Sequence, residues 1–91
     1  MFEEFKFSFD IHKVEKLEND RYLIYVQTRI LDHEKIDYFE GVIRVELNAI
    51  GIYPKPGDIA KAVSPKNLRG KLGSELKRYI KPQKRFLYEL A

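Results

Sequence analysis

The sequence predicts an α+β, β-rich domain: a small, mostly antiparallel barrel or curled sheet of four or five strands with a basic amphipathic helix near its C-terminus. Three observations predict it. Apolar and polar residues alternate through long stretches of residues 5–47, the period of two that marks half-buried strands. Leucines recur at helical spacing after Pro65, giving a helix one apolar side to lay on that sheet. Ninety-one residues, 44% hydrophobic and 13% aromatic, are enough for one core and too few for two. The whole chain, 1–91, therefore reads as a single domain: a β-rich portion (1–63), a helix (64–81) and a tail or short strand (82–91).

The elements follow in order. Phe5, Phe7, Phe9 and Ile11 share one side of the first strand, with Lys6, Ser8, Asp10 and His12 on the other. After Ile11 the apolar phase slips to Val14 and Leu17, which predicts a bulge or the strand's end. Glu18-Asn19-Asp20 is a turn, because Asn and Asp tolerate the left-handed backbone of a tight reversal. From Arg21 to Leu31 both faces carry apolar groups (Tyr22, Ile24, Val26, Thr28 and Ile30 against Leu23, Tyr25, Gln27, Arg29 and Leu31), the pattern of a central strand. Asp32-His33-Glu34-Lys35 has hairpin length. Ile36 to Leu47 is a third strand, with Gly41 marking a bulge or tight bend.

Asn48 to Pro54 fits no element cleanly. Pro54-Lys55-Pro56-Gly57-Asp58 reads as a loop, and Ile59 to Val63 as a short fourth strand. Ser64 is the expected cap of the helix and Pro65 its first residue. Leu68, Leu72, Leu76, Tyr79 and Ile80 cover an arc of about 120°. Gly70 and Gly73 each cost about 1 kcal/mol in a helix interior, so a break near Gly73 is expected, with Ser74 capping the second piece and Pro82 ending it. Phe86, Tyr88 and Leu90 alternate, as in a last short strand or a docking segment. Residues 5–47 with the Pro-Gly-Asp loop resemble oligonucleotide-binding and SH3-like barrels in outline, without a diagnostic motif.

Charge is segregated along the chain. Residues 1–54 hold seven Lys and Arg against eleven Asp and Glu, whereas residues 55–91 hold ten against three. A net of −4 thus precedes a net of +7, within a formal total of only +3. Such a basic segment neutralises phosphates and releases counterions, giving affinity without sequence preference. The expected function is a non-catalytic nucleic-acid-binding domain, for DNA or RNA. Its candidate contacts are Lys66, Arg69, Lys71, Lys77, Arg78, Lys81, Lys84 and Arg85, with Tyr25, Arg29 and Arg44 on the strands as a stacking or phosphate-contact face. Two alternatives use the acidic half. One is a protein-interaction or homo-oligomerisation module pairing the acidic sheet with the basic helix, and an acidic protein surface is a further partner that the basic segment fits. The other is an acidic-face inhibitor of a partner enzyme, working through Glu34, Asp37 and Glu40.

Several classes are excluded or disfavoured. Without cysteine there are no disulfides, thiolate metal sites or Cys nucleophiles, and a reducing, cytoplasmic setting is expected. His12 and His33 have no metal-ligand spacing, and the glycines at 41, 51, 57, 70 and 73 form no phosphate-binding loop. No enzyme activity, cofactor or metal is expected. No apolar run approaches the roughly 20 residues of a membrane span, and the start, Met1-Phe2-Glu3-Glu4, is acidic where a signal peptide is basic. One threonine and two glutamines among 34% charged residues is a usage of the kind found in hyperthermophiles.

Overall fold

A computed structural model describes residues 5–90, apart from the side chain of Leu90; the acidic start at residues 1–4 lies outside the described residues. Three long antiparallel strands follow one another as a meander: β1 (Lys6–Lys16), β2 (Tyr22–Leu31) and β3 (Asp37–Leu47). A three-residue β4 (Ile52–Pro54) completes the sheet in the order β1-β2-β3-β4. The sheet stays open, so the curled form is the one realised.

Local chemistry explains each reversal. Asn19 and Asp20 take φ of 61° and 57° between β1 and β2, the left-handed pair expected of that turn. Between β2 and β3, Lys35 has φ 63°, and Asp32 Oδ1 accepts from the backbone N–H groups of Glu34 and Ile36 at 2.9 and 3.0 Å. Asn48 does the same work between β3 and β4, its Oδ1 accepting from Ile50 and Gly51 N–H at 2.8 and 3.1 Å. The phase slip in β1 is a register shift between Ile11 and Lys13.

The expected irregularity at Gly41 takes another form. The β2–β3 ladder runs unbroken through the Thr28–Gly41 pair, and its shift lies between Ile30 and Leu31. A Cβ on Gly41 would stand 2.9 Å from Phe39 Cζ. The glycine therefore makes room for the Phe39 ring, which lies over it and shields the strand in place of a side chain.

The core lies between one sheet face and the helices. Ile24, Val26, Thr28 and Ile30 of β2 and Ile43, Val45 and Leu47 of β3 are buried on that face. Helix α2 (Lys66–Ile80) lays Leu68, Leu72, Leu76 and Ile80 on it. Burying each such side chain is worth about 1.5–3 kcal/mol, which offsets the two helix glycines. Thr28 is the one buried polar side chain among the described residues, and its hydroxyl donates to the Val26 carbonyl at 3.1 Å.

Four expectations are corrected. Residues 59–63 are not a strand: Pro56–Ala62 forms helix α1. Pro56 occupies its first turn, where no N–H is needed, and Asp58 complements the positive helix end. Ile59 and Val63, four residues apart, are both buried, a spacing a helix satisfies as well as a strand. Second, α2 runs unbroken through Gly73 and Ser74, because its leucine stripe is anchored on both sides of the glycines. Third, Pro65 precedes α2 as its cap residue, with no side-chain cap bond; Ser64 does not cap. Fourth, Pro82 does not end the helical path. It sits in a 3₁₀ turn (Lys81–Gln83) that leads into α3 (Lys84–Leu90), so the tail is not a strand. Gln83 Nε2 donates to the Tyr79 carbonyl at 2.7 Å, supplying a donor where the proline interrupts the backbone series. Leu87, skipped by the apparent alternation, is fully buried in α3, and Tyr88 packs edge-on against Tyr22 at 4.9 Å between centroids.

Among the described residues no helix is long and apolar enough to cross a membrane, and no group of three or more His, Asp or Glu gathers to hold a metal ion.

Candidate nucleic-acid interface

The sheet has a second face, turned away from the helices, and it carries three of the expected contacts. Tyr25, Arg29 and Arg44 lie there, with Tyr25 opposite Arg44 in the ladder. All three are already engaged. Arg29 Nε donates to Asp37 at 2.8 Å. Arg44 makes a two-pronged pair with Asp58, both nitrogens at 2.9 Å, and its backbone N–H donates to the same carboxylate. This clamp ties α1 to β3, and it holds the Asp58 carboxyl below its ordinary range. Lys13 stands over the Tyr25 ring, 5.4 Å from its centroid, and the Tyr25 hydroxyl donates to Glu15 at 3.4 Å. A cavity of about 670 Å³ opens beside Tyr25, Val42 and Arg44, but its ring and its guanidinium are already partnered.

The same holds at the other end of this face. Glu46 accepts from Arg21 Nε at 3.2 Å, Asn48 Nδ2 at 3.3 Å and Lys55 Nζ at 3.4 Å. Its carboxyl is accordingly lowered, chiefly by Arg21. The acidic half of the sequence thus pairs its own Arg21 and Arg29 and the neighbouring Lys55, while Asp58 of α1 holds Arg44.

The helical cations behave differently. Among the described residues Lys66, Lys71, Lys77, Lys81, Lys84 and Arg85 make no ion pair, and Arg78 only reaches the neighbouring Glu75 at 3.5 Å. Helical spacing gathers four of them. Lys77, Arg78, Lys81 and Lys84 form one wall of an open trough of about 630 Å³. The other wall is the β3–β4 reversal, with Ile50, Gly51, Ile52 and Tyr53. A second groove of about 520 Å³ adjoins it through Lys77 and continues between α1 and α2 past Ser74, Gly73, Gly70 and Arg69. Arg69 is fixed there by donating Nε to the Val63 carbonyl at 2.8 Å. The structure brings Arg69, Lys77, Arg78, Lys81 and Lys84 along one path. It leaves Lys66, Lys71 and Arg85 outside both grooves.

Sequence reasoning missed the opposite wall. Tyr53 and Ile50 were unassigned, yet Ile50 is 87% exposed and Tyr53 46%. The signal was the Asn48-Ala49-Ile50-Gly51 run. Asn48 closes the turn with its side chain and projects Ile50 at the tip, while its carbonyl accepts from the Tyr88 hydroxyl at 3.3 Å. That last contact binds the reversal to α3 and holds the two walls together. Comparison with protein-family models, with curated proteins and with solved structures found no match to this chain.

Proposed function

We propose that this chain is a non-catalytic nucleic-acid-binding domain, contacting phosphates through the trough between the C-terminal turns of α2 and the β3–β4 reversal. The observation that carries the reading is the convergence of Lys77, Arg78, Lys81 and Lys84 on one wall. Exposed cations so clustered draw a cloud of mobile anions, which a phosphate backbone displaces on binding. A cytoplasmic location, suggested by the cysteine-free sequence, belongs to the same proposal. Assembly through the acidic sheet draws less support, because its Asp37 and Glu46 already hold Arg29 and Arg21.

The test is fluorescence anisotropy with labelled DNA and RNA, single- and double-stranded, at about 50 mM salt, where phosphate contacts are strong. Binding is expected, and Lys81→Glu with Lys84→Glu is expected to abolish it. Lys16→Glu and Lys35→Glu, reversals remote from the trough, should leave it nearly intact. Absence of binding to every probe, or equal losses from the remote pair, refutes the reading.

A further inference from the structure

Independently of that reading, we infer that the chain pairs with a second copy of itself through the outer edge of β1, strand against antiparallel strand, about a two-fold axis at Ser8. β1 stands at one end of the strand order. Among the described residues no backbone hydrogen bond joins Lys6–Lys16 to any element but β2. An edge of this length presents a row of unpaired N–H and C=O groups, and monomeric proteins blunt such edges with proline, with bulges or with charges turned inward. β1 contains no proline, and its one register shift falls between Ile11 and Lys13. Before that shift its helix-side residues are Phe7, Phe9 and Ile11, none of them charged. The stretch Lys6–Ile11 is therefore regular and open.

The side chains of this stretch select the strand that fits. In an antiparallel pair, directly opposite residues share a face and interact. A two-fold axis at Ser8 sets Lys6 opposite the partner's Asp10, and by symmetry Asp10 opposite the partner's Lys6. Lys6, Ser8 and Asp10 are all exposed. Within the chain, Lys6 and Asp10 stand opposite Leu31 and Gln27, and neither makes an ion pair among the described residues. Moving the axis to Phe9 sets Asp10 against a serine, and moving it to Asp10 sets that carboxylate against its own copy. Of these, the Ser8 axis alone joins opposite charges.

The other face agrees with the same register. Phe7 and Phe9 are half-buried, their ring centroids 6.2 Å apart and their planes 14° from parallel. The Ser8 axis sets Phe7 opposite the partner's Phe9 and the reverse, so that two pairs of half-exposed rings cover one another. A foreign peptide would need this same spacing of charge and ring; a second copy carries it necessarily, and each contact is made twice. The two four-stranded sheets then become one. This joins the sheets by an edge rather than by their acidic faces, at the end of the strand order opposite to β4 and the trough.

The test is sedimentation velocity of the full chain over a range of concentrations, with the variants Lys6→Asp, Asp10→Lys and the two exchanges combined. A reversible dimer is expected. Either single exchange sets like charges opposite one another at both symmetric positions and is expected to raise the dimer Kd by about tenfold or more. The combined exchange restores opposite charges in this register and is expected to return the Kd to near that of the parent. Circular dichroism melts establish that each variant is folded. A chain that stays monomeric up to about 1 mM, a dimer indifferent to the single exchanges, or a combined variant that remains as weak as either one overturns the inference.

Discussion

Replacing Lys81 and Lys84 with alanine removes half of the four cations that line the trough, and the size of the effect follows from counterion release. For a single strand the logarithm of the affinity falls with the logarithm of salt at about −0.7 per phosphate neutralised. Four contacts give a slope of about −2.8, and two give about −1.4. Raising salt fourfold, from about 50 to about 200 mM, should then weaken the parent about 50-fold and the double variant only about 7-fold. Anisotropy titrations at four or five salt concentrations measure both slopes, and a thermal melt of each protein confirms the fold. The melt should change little, because Lys81 is exposed and neither side chain makes an ion pair among the described residues. An unchanged slope in the double variant refutes the assignment of these cations to phosphates. An equal loss of slope from Lys66→Ala with Lys71→Ala, both outside the trough, refutes the placement of the site.

Three further outcomes probe the fold. Gly70→Ala meets no atom within 4 Å and should stabilise by about 1 kcal/mol, raising Tm by about 4–8 °C in a domain of this size; Gly41→Ala, aimed 2.9 Å from Phe39 Cζ, should lower Tm instead. Leu72→Ala, at a fully buried position of the core, should cost about 2–5 kcal/mol in urea unfolding. Asp58 and Glu46 have folded-state carboxyls held below their ordinary range by Arg44 and Arg21. Their contribution is therefore complete above the unfolded carboxylate pKa of about 4 and drains away as pH falls below it. Asp58→Asn should lower stability near neutral pH and flatten the acid limb of a stability–pH curve; a limb of unchanged steepness would show that the clamp does not titrate with folding.

What was legible in the sequence and what was not divides along physical lines. β1, β2 and β3 were legible because each alternates over about ten residues and is bounded by turn chemistry that the structure repeats at Asn19, Asp20 and Lys35. The α2 stripe was legible because Leu68, Leu72 and Leu76 fit only a helical period. Short elements were not. In Ile59–Val63 a period of two and a spacing of four coincide over five residues, and Pro56, read as a loop marker, serves as a helix start. In the tail, Phe86 and Tyr88 alternate, but the residue that the core selects is Leu87. The site shows the same division. The cations on α2 could be named from composition, whereas the fate of Arg29 and Arg44 depended on strand register and on a helix that had not been recognised. The β3–β4 reversal gave no signal because its place beside the cations of α2 is a tertiary fact.

The meander places each strand next to its predecessor in sequence, so most of the sheet can assemble hairpin by hairpin without waiting for distant segments. Contacts of such short range favour fast folding. The trough is different in kind: its walls come from the β3–β4 reversal and from residues 77–84, joined through Tyr88 to Asn48 across 40 positions. It exists only once the helices have docked on the sheet. Oligonucleotide binding would then report the last step of folding, silent through hairpin formation and switched on when α3 reaches the reversal.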